Sequence, residues 1–135
     1  MNAQLADATR LHKALAHPVR LRMLAMLRSG ELCVCQLTAV LDLAPSTVSA
    51  HLAELRRAGL VLERKEGRWV HIRIAETPGA GRCLDLVWAQ LRGDEQAARD
   101  EQVVKRLRAI PVAELCSMSA QNVRCTVRNA NPRQT

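Results

Sequence analysis

Two cysteines lie two positions apart in the segment Glu-Leu-Cys-Val-Cys, at Cys33 and Cys35. Thiolates select soft, thiophilic ions, and a helix N-terminus lowers the pKa of a thiol toward the reactive thiolate form. The plainer interpretation is that both are small apolar side chains buried in the core. This Cys-x-Cys pair is the first candidate for a ligand site, and the remaining thiols are Cys83, Cys116 and Cys125.

A second group of residues whose types and spacing could bind a ligand begins at Ser46. Val48, Leu52 and Leu55 recur at i, i+4 and i+7, which predicts a helix with a narrow apolar face. The opposite face starts with small side chains, which allow a close approach to base edges, and hydroxyls can hydrogen-bond bases or phosphates. An Ala-rich surface helix is the plainer interpretation. The predicted groove-facing residues are Ser46, Thr47, Ser49 and Ala50.

Basic side chains follow the same helix. A predicted β-hairpin over residues 60–74 comes next, as a basic wing follows a recognition helix. The predicted DNA-backbone and wing contacts are Arg56 and Arg57 at the helix end and Arg64, Lys65 and Arg68 near the hairpin tip. His51 lies at the edge of the apolar stripe, so both a phosphate contact and a structural histidine remain open. Trp69 on the hairpin is predicted to pack.

The elements that must position these residues follow from periodicity and turn signals such as Pro18, Gly30, Pro45 and Gly59. Predicted helices cover residues 3–16, 18–28, 33–42, 46–58, 80–92 and 94–110, with the hairpin at 60–74. We therefore expect a winged helix-turn-helix domain with dimerisation helices over residues 1–110. Residues 111–135 are expected to form a polar, flexible tail that contains two of the cysteines.

Composition narrows the class of protein. The 135 residues include 20 Lys+Arg and 13 Asp+Glu, a formal net charge of +7, and residues 1–75 hold 11 basic against 6 acidic side chains. With two Trp and no Phe or Tyr, the core must consist of Leu, Ala and Val, which favours helices. No apolar run approaches the ~20 residues of a membrane span, and the N-terminus lacks a signal sequence. A cytoplasmic protein with reduced thiols and no membrane partner is expected.

Enzyme motifs are missing from the sequence. A Cys-x5-Arg phosphate loop is excluded because Arg124 follows Cys116 at the wrong spacing, and no Gly-rich phosphate loop or His-Glu-x-x-His motif occurs. A protein-interaction module explains the helices but not a small-faced helix followed by a basic hairpin. We therefore predict a protein that is not an enzyme and binds double-stranded DNA.

Taken together, the chain resembles the ArsR/SmtB family of winged-helix metal-responsive repressors, and within it the arsenic-repressor (ArsR) branch. The resemblance rests on the segments ALAHPVRLRML (14–24), GELCVCQL (30–37), STVSAHLAELRRAGLV (46–61) and RKEGRWVHIRI (64–74). It implies a mainly α fold with a β-hairpin wing, dimerised through N- and C-terminal helices. It also implies a homodimeric repressor that binds an inverted-repeat operator and is released by an inducer.

For the inducer, the resemblance implies trivalent arsenic or antimony, As(III) or Sb(III), bound to Cys33 and Cys35. The arsenic branch places a third cysteine three residues further on, where this chain has Thr38. A hydroxyl is a poor ligand for a soft metalloid. The third ligand is therefore expected to be Cys116, with Cys125 or a small molecule as alternatives.

Other inducers remain open. The family's zinc site needs an Asp-x-His start, but here Asp85 is followed by Leu86 and Val87. Cadmium- and lead-sensing relatives take cysteines from an N-terminal arm, and residues 1–32 contain none. Because the tail offers further sulfur, a cadmium- or lead-responsive repressor stays an alternative, as does a thiol-redox-responsive repressor on the same fold.

A regular helix over residues 33–42 would separate the two thiols. Positions i and i+2 lie about 200° apart around a helix, so Cys33 is expected to face the core with Leu37 and Cys35 to face outward. Both sulfurs then bind one ion only if the first turn unwinds or the helix starts later. The resulting hypothesis is that ion binding and the regular helix oppose each other, and thereby oppose DNA binding.

Overall fold

The computed structural model describes residues 3–129. Within that range the chain forms eight α-helices and three β-strands. In chain order they are α1 (Ala3–Leu15), α2 (Pro18–Leu27), β1 (Leu32–Cys33), α3 (Val34–Leu41), α4 (Pro45–Arg57), β2 (Val61–Glu66), β3 (Trp69–Ile74), α5 (Pro78–Leu91), α6 (Glu95–Arg108), α7 (Val112–Ser117) and α8 (Ala120–Asn129). The predicted mainly α fold with a hairpin wing is confirmed.

Local signals explain where the first helices begin and end. Pro18 occupies the first turn of α2, where its missing N–H is not needed. The extended residue His17 caps this helix, and its Nδ1 accepts a hydrogen bond from the Val19 N–H at 3.1 Å. Gly30 has a φ of +132°, which favours glycine, and it turns the chain from α2 into β1.

The three strands form one antiparallel sheet in the order β1-β3-β2. Strands β2 and β3 are the predicted hairpin, and Gly67 supplies the positive φ of its turn. Strand β1 pairs Leu32 with Ile72 and Cys33 with His71. The sequence did not predict β1, because a two-residue strand is too short to show an alternating pattern. This strand attaches the Cys-x-Cys segment to the wing.

The core is built without aromatic side chains at its centre. Its fully buried large residues include Leu24 and Leu27 of α2, Leu37 of α3 and Leu55 of α4. Val48 and Leu52 of α4 are also buried, so the predicted apolar stripe of this helix faces the core. The opposite face of α4 is thereby left on the surface.

A buried ion pair attaches α6 to α2. Arg22 donates from Nε and Nη2 to the two carboxylate oxygens of Asp100, at 2.8 and 2.9 Å. The Gln96 side chain donates a further hydrogen bond to Asp100 at 2.9 Å. The carboxylate of Asp100 is thus almost fully enclosed and fully hydrogen-bonded.

Residues after Pro111 differ from the expected flexible tail. Helices α7 and α8 occupy 112–129, Leu115 is buried, and Val123 and Val127 pack against the core. Helix α7 is too short to show a period, whereas α8 carries one in Val123 and Val127, which the sequence analysis did not use. The rest of the predicted tail, residues 130–135, lies outside the described residues. The division of the chain at residue 110 stays a prediction.

Among residues 3–129, none of the helices combines the length and apolar character needed to cross a bilayer.

The buried ion pair predicts a large effect on stability. Replacing Asp100 by Ala leaves the Arg22 guanidinium without its carboxylate, and we expect the free energy of unfolding to fall by about 3 kcal/mol. Urea denaturation at fixed protein concentration measures this change. Asp7→Ala is the control, because it removes only an exposed pair with Arg10 and should change stability by less than about 0.5 kcal/mol. Equal small changes in both variants would contradict the prediction.

Candidate thiol site and nucleic-acid interface

Three cysteines converge at one point of the fold. The sulfurs of Cys33, Cys35 and Cys116 all lie within 4.8 Å of one another. Cys33 is buried and the other two are partly buried. They come from β1, α3 and α7, so the cluster joins three elements that are distant in the sequence. In the structure Cys35 and Cys116 are joined by a disulfide, with their Cα atoms 5.8 Å apart.

The backbone at Cys33 explains why the Cys-x-Cys sulfurs meet. Cys33 lies before the helix as its N-cap, in an extended conformation with φ −73° and ψ 148°. Its N–H donates to the side-chain oxygen of Gln36 at 2.8 Å, and the helix begins only at Val34. The predicted helix start at residue 33 is therefore one residue too early, and the later start that the sequence analysis left open is what the structure shows. No unwinding of α3 is needed to bring the two sulfurs together, so the hypothesis that ion binding opposes a regular helix loses its basis.

The other candidate ligands lie apart from this cluster. Thr38, at the position of the missing third cysteine, donates its hydroxyl to the Val34 carbonyl at 2.8 Å. Cys125 lies on α8, where the Arg128 guanidinium approaches its sulfur to 3.6 Å. Cys83 lies on α5, and burial raises the pKa of its thiol. Among the described residues, the sulfur cluster therefore consists of the Cys-x-Cys pair and one tail cysteine.

An open space borders the thiols. This α4–hairpin cleft has a volume of about 440 Å³ and is lined by residues from the Cys-x-Cys segment, α4 and the hairpin. Cys33 and Cys35 are among the lining residues, as are Trp69 and Arg68 of the hairpin. The thiol site thus borders the space between α4 and the hairpin.

Helix α4 presents the predicted small residues to solvent. Ser46, Thr47, Ser49 and Ala50 are all exposed, whereas Val48 is fully buried. The helix starts at Pro45, with Ala44 as an N-cap that makes no side-chain hydrogen bond. In the first turn Pro45 has no N–H, and the N–H groups of Thr47 and Val48 donate to the Ala44 carbonyl at 3.0 and 3.1 Å. The Ser46 N–H is left as the donor of this turn that can meet a phosphate oxygen.

Several of the predicted basic contacts already have acidic partners. Arg56 pairs with Glu63 at 2.7 Å and Arg57 with Glu54 at 2.8 Å. Arg64 pairs with two glutamates, Glu31 at 2.6 Å and Glu66 at 3.1 Å. The hydrogen bond from Arg64 lowers the pKa of the Glu31 carboxyl. The sequence analysis did not predict these pairs. Arg57 and Glu54 are an i,i+3 pair on one helix, whereas the Arg56–Glu63 and Arg64–Glu31 pairs join different elements and depend on the tertiary structure.

Two cations at the hairpin tip are different. Lys65 and Arg68 are exposed, and no ion pair involving either is found within residues 3–129. The Arg68 guanidinium lies over the Trp69 ring, 5.8 Å from its centroid. These two side chains offer uncompensated charge to a polyanion.

His51, on α4, belongs to a small polar cluster with His17 and Arg20. Its ring lies 4.4 Å from that of His17, and its Nδ1 is 3.3 Å from the Arg20 guanidinium. Burial lowers the pKa of His51, and the charges of His17 and Arg20 lower it further. These contacts favour the structural interpretation over a phosphate contact.

Comparison with known proteins gives a consistent result. Residues 17–62 match the family described as bacterial regulatory protein, arsR family. The arsenical resistance operon repressor of Escherichia coli is 44% identical over 81 residues, 58% of this chain and 69% of that protein. The chain belongs to the ArsR family.

Further relatives agree. The arsenic resistance transcriptional regulator ArsR1 of Pseudomonas putida is 49% identical over 63 residues, and this match spans 46% of the chain and 49% of that relative's length. A homodimeric winged helix-turn-helix DNA-binding domain from Mycobacterium bovis has a similar solution structure, with a TM-score of 0.59 and 34% identity. The similarity covers 67% of this chain and 82% of that domain.

Membership of the ArsR family makes this chain a transcriptional regulator with a winged helix-turn-helix DNA-binding fold, and not an enzyme. The family match contains Cys33, Cys35 and all of α4. It ends at Leu62, before the hairpin tip, and does not reach Cys116. The role of each individual contact residue stays a prediction.

The ion pairs predict unequal contributions of the wing cations to DNA binding. We expect Arg68→Ala to reduce the slope of log K against log salt by about 0.9, the loss of one phosphate contact. Arg64→Ala should change the slope less, because Glu31 and Glu66 already compensate that charge. Fluorescence anisotropy of a labelled promoter duplex at several salt concentrations measures both slopes. The α1 variant Arg10→Ala is the control. An Arg64→Ala effect as large as that of Arg68→Ala would argue against this assignment.

The His51 environment predicts an acid-dependent loss of stability. Because its folded-state pKa is below the unfolded value, the unfolded chain binds more protons as the pH falls below about 6.5. The part of the unfolding free energy that depends on neutral His51 is therefore present above that pH and is lost on acidification. We expect His51→Gln to lose less unfolding free energy between pH 7.5 and pH 5 than the unmodified chain. His12→Gln, on the exposed side of α1, should behave like the unmodified chain.

Proposed function

We propose that this chain is a homodimeric repressor released from an inverted-repeat operator when As(III) or Sb(III) binds to Cys33, Cys35 and Cys116. The observation that carries the proposal is the convergence of these three sulfurs within 4.8 Å. The names of the relatives from Escherichia coli and Pseudomonas putida, which refer to arsenic resistance, support it. The ArsR-family fold is shown, and the ligand and the residues that bind it are what we propose.

The chemistry of the sulfurs fits a trivalent metalloid. Arsenous acid, As(OH)3, and three thiols give a tris-thiolate and three waters, with no change in oxidation state. Three soft donors and no carboxylate in the group favour a thiophilic ion over a hard cation. Binding requires all three thiols in the reduced form, so a cellular thiol or an added phosphine must first supply two electrons to the Cys35–Cys116 disulfide.

Binding at this point acts on the elements that hold the DNA-reading helix. Cys33 lies in β1, which pairs with the wing strand β3 through His71. Cys35 lies in α3, which packs directly against α4. An ion that draws the sulfurs together moves β1 relative to α3, and thereby the wing relative to α4. A fit to DNA needs both elements in one geometry, so ligand and operator oppose each other.

The operator geometry follows from two copies of α4. In a two-fold dimer the two recognition helices enter successive major grooves, about 34 Å apart, which matches an inverted repeat. We assign the dimer contact to the terminal helices, and α5 carries the exposed apolar side chain Leu86.

The thiol assignment predicts a separation of induction from repression. Cys33→Ser, Cys35→Ser and Cys116→Ser should each bind a promoter duplex as the unmodified chain does, yet lose release by arsenite. Cys83→Ser and Cys125→Ser should remain inducible, because neither sulfur belongs to the cluster. Fluorescence anisotropy with the protein held reduced by a phosphine measures both properties. A fully inducible Cys35→Ser would remove the assignment.

A second candidate function is a thiol-redox-responsive repressor, favoured by the Cys35–Cys116 disulfide. In that case oxidation alone alters the contact between α3 and α7 and releases the DNA. The same anisotropy assay separates the candidates. Release by peroxide without metalloid supports the redox function, and release by arsenite or antimonite under reduction supports the metalloid function. Release by cadmium or lead alone would keep the fold and replace the inducer.

A further inference from the structure

The two helices of the helix-turn-helix carry little charge where they meet. Residues 32–53, which include α3 and most of α4, contain no Lys or Arg, and their single acidic residue is Asp42. By itself this segment presents one carboxylate to DNA, and the phosphates of the duplex repel that charge. A cation close to the start of α4 therefore has to come from another element of the fold.

Asp42 lies at the turn that leads into the recognition helix. It is the C-cap of α3, in the left-handed conformation with φ 51° and ψ 44°, and its N–H donates to the Thr38 carbonyl at 2.9 Å. Asp and Asn adopt this conformation more readily than most other residues with a side chain. Helix α4 begins three residues later at Pro45, so the exposed Asp42 carboxylate lies near the predicted groove-facing residues.

Helix α8 brings two arginines to this turn. Val123 and Val127, one helical turn apart, pack against the core, and α8 contacts both α3 and α6. Arg124 and Arg128 each follow one of these valines, so they share the neighbouring face, which is exposed. The Arg124 Nε donates to the Asp42 carboxylate at 3.2 Å. This ion pair places the basic face of α8 beside the start of α4.

The basic face of α8 carries more charge than Asp42 compensates. No acidic partner of Arg128 is found within residues 3–129, and its guanidinium lies 3.6 Å from the Cys125 sulfur. Helix α8 itself contains no Asp or Glu. Like charges at i and i+4 destabilise a helix, so the spacing of Arg124 and Arg128 is favourable only with anions nearby. Asp42 supplies one anion, and one positive charge is left for an external one.

We propose that α8 extends the DNA interface of each subunit, with Arg128 contacting a phosphate beside the start of α4 and Arg124 neutralising Asp42. The basic face is continuous with the exposed face of α4, and its charge is complementary to the phosphate backbone. A guanidinium can hold a phosphate through two parallel hydrogen bonds. This inference rests on the proposed function and adds a contact surface outside residues 17–62, the part of the chain that matches the family.

The first test is the salt dependence of DNA binding by the full-length chain, measured by fluorescence anisotropy of a labelled promoter duplex. Arg128→Gln should reduce the slope of log K against log salt by about 0.9, the loss of one phosphate contact. Gln and Arg have similar helix propensities, so α8 is retained. The protein is held reduced by a phosphine, the form that both candidate functions expect to bind DNA. An unchanged slope would overturn the inference.

The second test separates charge from structure at the Asp42–Arg124 pair. Asp42→Asn keeps a residue suited to the left-handed backbone and frees Arg124, so it should tighten DNA binding and increase the slope by about 0.9. Arg124→Gln uncovers the carboxylate and should weaken binding by about two- to eightfold at 0.1 M salt, up to the factor for one phosphate contact. The double variant keeps the net charge of the pair and should bind within about twofold of the unmodified chain.

The exposed Arg10–Asp7 pair of α1, at 3.5 Å, provides the matched control. Asp7→Asn changes the net charge of the chain by the same amount as Asp42→Asn. A charge that lies more than a Debye length from the phosphates is screened, so Asp7→Asn should leave the affinity within about twofold of the unmodified chain.

The outcomes separate this inference from the proposed function. If the unmodified chain does not bind the duplex at low salt, both fail. If it binds but Asp42→Asn weakens binding as Arg124→Gln does, the pair has a structural role and only the inference is overturned. Equal tightening by Asp7→Asn and Asp42→Asn also overturns it, because the effect is then one of net charge.

Discussion

The conformation of one residue, Cys33, determines how the thiol site is connected to the rest of the protein. Its extended backbone lets it end strand β1 and cap helix α3 at the same time. As a strand residue it pairs with His71 of the wing, and as a cap it receives the Gln36 side chain on its N–H. A helical Cys33 would lose the strand pairing and would turn its sulfur away from Cys35. The sulfur cluster and the attachment of the wing therefore depend on the same backbone geometry.

Because of this shared geometry, the thiol site is in direct contact with elements that pack against α4 and pair with the hairpin. The cluster touches β1, α3 and α7, and through them both the recognition helix and the hairpin. Regulation of this kind needs a bistable contact and no long-range pathway. The contact between β1 and α3 is the natural candidate, because the sulfurs bridge it while the backbone hydrogen bonds of β1 hold the wing. Tail helix α7 enters the same contact by supplying Cys116.

Much of this arrangement could be predicted from the sequence, and the reasons for the exceptions are physical. Helices with a clear 3.6-residue period, such as α4 with Val48, Leu52 and Leu55, were predicted within a residue or two. Strand β1 was not, because two residues carry no period. The tail helices were not, because α7 is only one to two turns long and the spacing of Val123 and Val127 on α8 was not used. The convergence of Cys33 and Cys35 was predicted only on the condition of a later helix start, because the helix was extended one residue too far, to Cys33.

The ion pairs were the least predictable feature of the structure, and they change how the net positive charge should be interpreted. A net charge of +7 suggests a broad cationic surface. Yet Arg56, Arg57 and Arg64 are compensated locally by glutamates on the same or neighbouring elements. These pairs orient the guanidinium groups and lower their net attraction for phosphate, so geometry gains weight over total charge in selecting an operator. Because the Arg56–Glu63 pair also connects α4 to β2 at the rim of the cleft, any ligand that spreads the cleft strains the same pair. Under the proposed function, release from DNA then follows from a change in distance between α4 and the hairpin, with no change in charge.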